Sequence, residues 1–512
     1  MKAILLFLFP TIFSTVSYSQ NQLLLEGNNA RASIQDDGNF FNNPDLGSPQ
    51  YEIPINSGNH VIYAMTFCMA GIEVDSTIHT AFNGFPGNDD FFSGPIANDY
   101  NSTYYTTNFD SSVWKITRDQ INFHVGNYTA VGYVPDPAIS NWPGNGNISE
   151  GIAEQLAPYV DVNNDNIYNP LNGDFPYIQG DQAVYVIMND EAGYHAQTNG
   201  IAFGIEIHAM FYQYESTDDL NNTTFLNTKI YNRRDTNYVD FMFGLWLDID
   251  IGNSINDFIG SDSARSLAYG YNGESSDDGQ GGQPGYGSNP PAFGAQFLSE
   301  PAGSVIGYDI SGGWSIPPTN LYYGMKGVQE NGQLLLNGPT PTKFIFNGNP
   351  FLGTGWNEVT DGNAAGDHRV TISSGGSELN SGNFLCYDMA FIFNQAAGNA
   401  IENVNELLST ADFIQNYYDA NIQPCNQIFL DAKIYDEQSD VLIYPNPSNG
   451  TFTIQTDSPV KISVLDFSGK LIAEDLQPDE NGILNLDLKT GTYIIVLQSE
   501  SEISYHKIEI LK

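Results

Sequence analysis

Ala202-Phe203-Gly204-Ile205-Glu206-Ile207-His208-Ala209-Met210-Phe211-Tyr212-Gln213-Tyr214 is a run of apolar and aromatic residues interrupted by single polar side chains. Aromatic-rich runs without proline read as β-strands, and residues two apart share a face, so Glu206 and His208 form a polar pair on one side of this strand. The same texture recurs at Val61–Ile72, Gln182–Met188 and Val239–Leu247, each bounded by Gly, Asn or Pro. Strands repeated in this way predict a mainly β protein, with a large sandwich-like body over residues 20–436.

One segment breaks the pattern. Between Asn399 and Asp419 the apolar residues Ile401, Val404, Leu407, Leu408, Ala411 and Ile414 recur every three or four positions. That spacing predicts an amphipathic helix packed on a sheet, and Asn399 with Glu402 has the form of a capping box. A shorter helix over Ser149–Leu156 is expected, with Ser149 as its cap. A boundary between two subdomains of the body would fall near 140–160. Glu274–Pro291 is nearly all Gly, Ser, Asp, Gln and Pro and reads as a long surface loop. No repeat of fixed period is present.

Among 512 residues, 17 Lys+Arg stand against 60 Asp+Glu, a formal charge of −43. Only 15% of residues are charged, so the acidity reflects a shortage of bases. A surface of this sign repels nucleic-acid phosphates and anionic lipid headgroups, and the densest basic spot is only Arg233–Arg234. Nucleic acid is thereby excluded as a partner. With 41% hydrophobic and 13% aromatic residues, the chain can bury enough surface to offset its conformational entropy.

The two ends differ from the body. Met1-Lys2, an apolar run from Ala3 to Val16 and the small residues of Ser17-Tyr18-Ser19 read as a secretory signal peptide over residues 1–19. The run is too short for a bilayer span and is interrupted by Pro10. The first cysteine is Cys68, far from the expected cut, which excludes lipid anchoring by a cysteine there. No later stretch approaches about 18 consecutive apolar residues, so no transmembrane helix is expected. Near the other end, Tyr444-Pro445-Asn446-Pro447-Ser448-Asn449-Gly450 forms a turn in which two prolines fix φ and Gly450 supplies a positive one. Strands are expected at Thr451–Gln455, Lys461–Asp466, Ile483–Leu488, Thr492–Gln498 and Ser504–Leu511. Strands so spaced predict a small immunoglobulin-like sandwich over residues 437–512. This segment holds Lys461, Lys470, Lys489, Lys507 and Lys512, five of the 17 basic residues.

The Tyr444–Gly450 turn, Ser468-Gly469-Lys470, Gly491-Thr492-Tyr493 and Lys507-Ile508 with Lys512 together resemble the type A C-terminal sorting domain of the type IX secretion system of Bacteroidota. The resemblance implies passage through the periplasm, then across the outer membrane by recognition of this domain. Its partners would be the secretion machinery and a sortase-like surface protease, which in the family often removes the domain and releases the cargo or attaches it to surface lipopolysaccharide. The body resembles uncharacterised cargo proteins of this class through Asp161–Asp181, Asn189-Asp190, Asn232-Arg233 and Asp248–Asp262. That resemblance brings no activity with it.

Asp161-Val162-Asn163-Asn164-Asp165-Asn166-Ile167-Tyr168-Asn169 places oxygen-bearing residues at positions 1, 3, 5 and 9, with a backbone carbonyl available from Ile167 at 7. This spacing lets a loop wrap a hard cation such as Ca²⁺. Asn166 stands where glycine is usual, but Asn accepts left-handed φ. Asn172 stands where a bidentate Glu is usual, leaving Asp174 or Asp181 to supply the carboxylate. The candidate ligands are therefore Asp161, Asn163, Asp165, Ile167, Asn169 and Asp174, for a structural role.

Asp248 and Asp250 alternate on one face of a strand end, near Asp257 and Asp262. Paired carboxylates serve as the acid and base of a glycosidase when about 5–9 Å apart, and they also share cations. No His-Glu-x-x-His, Gly-x-Ser-x-Gly or phosphate cradle is present. Cys68, Cys386 and Cys425 allow one bond, such as Cys386–Cys425, or three free thiols. The expected function is a calcium-braced adhesin or surface structural protein with a glycan or protein ligand. The alternative is a secreted polysaccharide-degrading hydrolase using Asp248 and Asp250.

Overall fold

The computed structural model describes residues 22–510 except 44–45, 85–88, 281, 309–315, 330, 397, 422–423, 427–441, 445–447, 456–460, 467–470, 480–481, 487, 490 and 499–502. The expected signal peptide, the two prolines of the Tyr444–Gly450 turn, Ser468–Lys470 and Lys512 lie outside the described residues. The body is built on two large antiparallel sheets. The first runs in the order Gln22–Leu25, Arg31–Gln35, Asn39–Phe40, Ala64–Ile72, Tyr238–Asp248, Arg369–Ser374 and Ala302–Tyr308. The second runs Val113–Thr117, Gln182–Asn189, Ile205–Gln213, Thr223–Asn232, Phe384–Asn394, Ala292–Phe297, Leu267–Asn272 and Asp257–Asp262.

The sheets face each other across one core. Met65, Phe67, Met69, Phe243, Leu245 and Ile372 come to it from the first sheet, and Val184, Val186, Ile207, Phe211, Met389 and Phe391 from the second. Because successive strand residues point to opposite faces, the remaining residues need cover of their own. On the first sheet, Ala64, Cys68, Ala70, Met242 and Trp246 pack beneath the Pro318–Met325 helix. On the second, Tyr185, Met210, Tyr212, Phe225, Ala390 and Ile392 pack beneath the Ala400–Asn421 helix and the chain around residues 105–178. This double cover is why Ile205–Gln213 is buried along its whole length rather than at alternate residues.

The expected long helix forms over Ala400–Asn421. Its capping box closes: the Asn399 side chain accepts from the Ile401 and Glu402 amides, and Glu402 accepts from the Asn399 amide. The expected Ser149–Leu156 helix does not form. A 3₁₀ turn over Ile148–Glu150 takes its place, capped by Asn147 and ended by Gly151 with φ 80°. The backbone turns away there because the Gly146 and Leu156 amides donate to Glu154 and Gly144 carbonyls instead of propagating a helix. The Glu274–Pro291 loop is less superficial than its composition suggests, since Asp277 is buried and the Tyr286 hydroxyl reaches the Ile53 carbonyl. Cys386 and Cys425 are disulfide-bonded, and Cys68 is a buried free thiol.

The tail is a smaller sandwich. Leu442–Tyr444, Thr451–Gln455 and Ile483–Asn485 form one sheet, and Leu471–Leu476, Lys461–Asp466, Gly491–Gln498 and Ile503–Ile510 the other. Phe452, Ile454 and Leu484 meet Ile462, Val464, Ile495, Leu497, Ile508 and Ile510 between them. Gly450 has φ 107°, as its turn requires.

Candidate functional site

The Asp161–Asp174 loop is held by its own acidic side chains. The Asp161 carboxylate accepts from the Asp165 and Asn166 amides, at 3.3 and 2.7 Å. Asp165 accepts from the Ile167 amide and from the Asn163 side-chain amide. Asp174, which is buried, accepts from the Val162 and Asn169 amides at 2.8 Å each and so closes the loop from its far end. These bonds bend the backbone back on itself, and Asn164 and Asn166 take φ values of 57° and 60°. Gly173 is required here twice over: its φ is 103°, and a Cβ would lie 2.7 Å from the Tyr128 ring.

The result is a convergence of carboxylates. Oxygens of Asp161, Asp165 and Asp174 lie within 4.8 Å of one another. Burial pushes the Asp174 carboxyl upward, the Val162 and Asn169 amides pull it down, and the charges of Asp161 and Asp165 add to the rise. A hard cation relieves that repulsion. Of the sequence candidates, Asn169 is turned away: its side chain caps the Pro170–Asn172 turn through the Leu171 amide. Asp181 lies elsewhere, accepting from the Glu215 amide, so Asp174 is the carboxylate that completes the cluster.

Asp248 and Asp250 also converge, but with a residue that sequence spacing did not single out. Their oxygens and one of Asp367 lie within 4.8 Å of one another. Antiparallel pairing sets Arg369 opposite Asp248, where its Nε lies 2.8 Å from Asp248 Oδ1, and the same guanidinium pairs with Asp367. Burial, and then repulsion from Asp367, push the Asp248 carboxyl up to about 7 against the pull of Arg369. Asp248 is 1% exposed, whereas Asp250 is half-buried and Asp367 exposed.

Glu206 and His208 lie on one face of their strand, buried, with His208 Nε2 2.9 Å from Glu206 Oε1 and Nδ1 2.7 Å from the Tyr185 hydroxyl. Arg233, whose guanidinium sits 4.6 Å from the Tyr231 ring centroid, completes the group by donating to the same Glu206 oxygen. Burial opposes a charged Glu206, but His208 and Arg233 outweigh it and hold the carboxyl down at about 2. Glu206 and Arg233, but not His208, line a cavity of about 280 Å³ together with Ile96, Ile148, Ile152 and Ala153. His195 is not part of this group. Its two ring nitrogens lie 2.8 and 2.7 Å from the Thr80 and Asp190 carbonyls, between the carboxylates of Asp90 and Asp190.

Residues 442–511 match the family model described as the secretion system C-terminal sorting domain. The tail is a sorting domain. With it go export by the type IX secretion system, interaction with the secretion machinery, delivery to the cell surface or the extracellular space, and a source in the Bacteroidota. No helix among the described residues is long and apolar enough to cross a membrane. No curated protein matches the chain. Among solved structures, it is similar to the lysyl oxidase of Pichia pastoris, at 9% identity over 73% of this chain and 53% of that one, with a TM-score of 0.29. It is similar also to a polysaccharide lyase, at 8% identity over 60% of this chain and 34% of that one, with a TM-score of 0.17. A putative aldose 1-epimerase of Escherichia coli K12 aligns at 10% identity over 73% of this chain and 99% of that one, with a TM-score of 0.21. The sorted chain thus spans about half the length of the oxidase and a third of the lyase. Likenesses this low carry no argument about its activity.

Proposed function

We propose that this type IX cargo is a calcium-braced extracellular β-protein that serves as an adhesin or a structural component of the cell surface, with a glycan or protein as its ligand. The observation that carries the calcium reading is the convergence of Asp161, Asp165 and Asp174 in one tightly wound loop. Asn163 and the Ile167 carbonyl lie on the same turn and would add neutral oxygens, and Asn169 would join by releasing the Leu171 amide. A hard cation with oxygen ligands matches this donor set, and extracellular calcium modules work at affinities of about 10⁻⁴–10⁻³ M. The burial and guanidinium pairing of Asp248 favour a binding or structural role over polysaccharide hydrolysis.

A ligand bound only to the native state stabilises it by about 2.7 kcal/mol at a hundredfold excess over its Kd. The thermal midpoint of the full chain is therefore expected to fall by a few degrees in EDTA and to recover with Ca²⁺. In Asp165→Asn protein the EDTA effect should shrink. An unchanged midpoint in wild-type protein shown to be metal-free by elemental analysis would overturn the calcium reading. A glycan array and a polysaccharide-digestion screen, each with and without Ca²⁺, test the binding role: capture without digestion supports it, and chain cleavage overturns it.

A further inference from the structure

Where the Thr223–Asn232 strand ends, the second sheet carries the cavity lined by Glu206 and Arg233, to which neither carboxylate cluster contributes. Glu206 pairs in register with Tyr231. Arg233, just beyond the strand, lays its guanidinium over the Tyr231 ring and donates to Glu206 from Nε and Nη2. Two stretches of chain wall the space. The Ile96 amide donates to Glu206 Oε2 and fastens one of them to the sheet, and the Asn98 amide donates to the Glu150 carbonyl and ties it to the turn that carries Gly151, Ile152 and Ala153. Gly151 permits this closure: its φ is 80°, and a Cβ there would lie 2.4 Å from Asn98 Oδ1. At about 280 Å³ the cavity suits a ligand at the small end of the ordinary range.

The polar groups limit what fits. Among the described residues, Arg233 spends Nε and Nη2 on Glu206 and leaves Nη1 unused, while Glu206 Oε2 accepts from the Ile96 amide alone and keeps a lone pair. A charged donor and a charged acceptor thus stand side by side, and the charges of the lining residues cancel. An anion would meet a guanidinium already matched by Glu206, on a chain of formal charge −43, and a cation would meet the guanidinium itself. A wholly apolar molecule would strip the ion pair of water and return no hydrogen bond. A neutral molecule with adjacent hydroxyls serves both groups at once, because each hydroxyl donates and accepts, and its C–H face packs on Ile96, Ile152 and Ala153.

We infer that this cavity binds one neutral sugar unit, with Glu206 accepting from one hydroxyl, Arg233 donating to its neighbour and the isoleucines against the ring. The site serves the glycan arm of the function proposed above and rests on that reading. A single carboxylate lines the cavity, and glycoside hydrolysis ordinarily takes two, so the sugar is held rather than cleaved.

Ligand-observed NMR of the full-length chain with the methyl glycosides of glucose, galactose, mannose and N-acetylglucosamine tests the site, with glucuronic acid as the charged counterpart. At least one neutral glycoside is expected to bind, and more tightly than glucuronic acid. Arg233→Lys keeps the charge but loses the planar fork, and should weaken that glycoside about tenfold. Ala153→Leu leaves the ion pair intact and fills the space, so it should abolish binding; it is the second variant should Arg233→Lys fail to fold. Neutral glycosides that all fail to bind, that bind both variants as well as wild type, or that bind less tightly than glucuronic acid would overturn the site. A glycan array that still captures the chain in any of these cases leaves the glycan reading standing, whereas a blank array with no glycoside bound removes that reading as well.

Discussion

At the scale of single residues, the molecule handles buried charge in two opposite ways. Glu206 is ionised because every neighbour favours its charge: Arg233, the His208 ring and the Ile96 amide all donate to it. Its carboxyl lies at about 2 in the fold against an ordinary 4.5, so its contribution to stability is present above about pH 4.5 and is lost as pH falls toward 2. The size of that contribution is roughly 3 kcal/mol. Urea unfolding of wild-type and Glu206→Gln protein should therefore differ by about that amount at pH 7 and converge by pH 2, and a gap that stays constant would overturn this account. Asp36, Asp37 and Asp388 run the other way. Burial raises each to about 6, so the stability tied to their protonated forms is present below about pH 4 and is lost as pH rises through 6. Metal-free protein is accordingly expected to be most stable in mildly acidic solution, between these two limits, as read from urea midpoints across pH 3–8. His195 shows a third solution. Its two ring nitrogens lie within hydrogen-bond distance of the Thr80 and Asp190 carbonyl oxygens, and the carboxylates of Asp90 and Asp190 flank the ring.

At the scale of elements, the long helix was legible because its signal is local. Spacing of three and four residues marks the buried stripe of Val404, Leu407, Ala411 and Ile414, and the capping pair lies within the same turn. Leu407 is fully buried against the second sheet, so Leu407→Ala is expected to cost about 2–5 kcal/mol, and Asn399→Ala about 1 kcal/mol through the lost cap. Chemical denaturation of the body checks both, with the larger loss at Leu407. The short helix expected at Ser149–Leu156 failed for an equally local reason. Gly151 takes a left-handed conformation that a helix cannot include, and a Cβ there would lie 2.4 Å from Asn98. Strand positions were legible in the apolar runs, but strand order was not. Tyr238–Asp248 pairs with Ala64–Ile72 on one side and Arg369–Ser374 on the other, partners more than a hundred residues away in each direction. The loop cluster could be read from spacing because its ligands lie within 14 consecutive positions, from Asp161 to Asp174. The Asp248 cluster could not, because Asp367 and Arg369 reach it only through that long-range pairing.

At the scale of the whole molecule, address and body are separable. The tail has its own two sheets and its own core of Phe452, Ile462, Ile495 and Ile508. Deletion of residues 437–512 is expected to leave the body folded and held in the periplasm, as followed by cell fractionation; its arrival in the medium at the wild-type level would contradict the assignment of sorting to the tail. The charge of −43 takes on a definite form in the fold. Part of it is gathered into two carboxylate clusters, each running from a buried carboxylate, Asp174 or Asp248, to an exposed one, Asp165 or Asp367. The sequence by itself determined the mainly β class, the long helix, the sorting tail and the Asp161–Asp174 loop, because each is encoded in residues adjacent along the chain. The tertiary structure alone decided which strands became neighbours, why the strands of both sheets are buried on two faces, and which distant carboxylates Asp248 and Asp250 would meet. Those outcomes depend on surfaces that exist only after the sheets have packed, when burial strips the charges of water and leaves protons, guanidinium groups or cations to balance them.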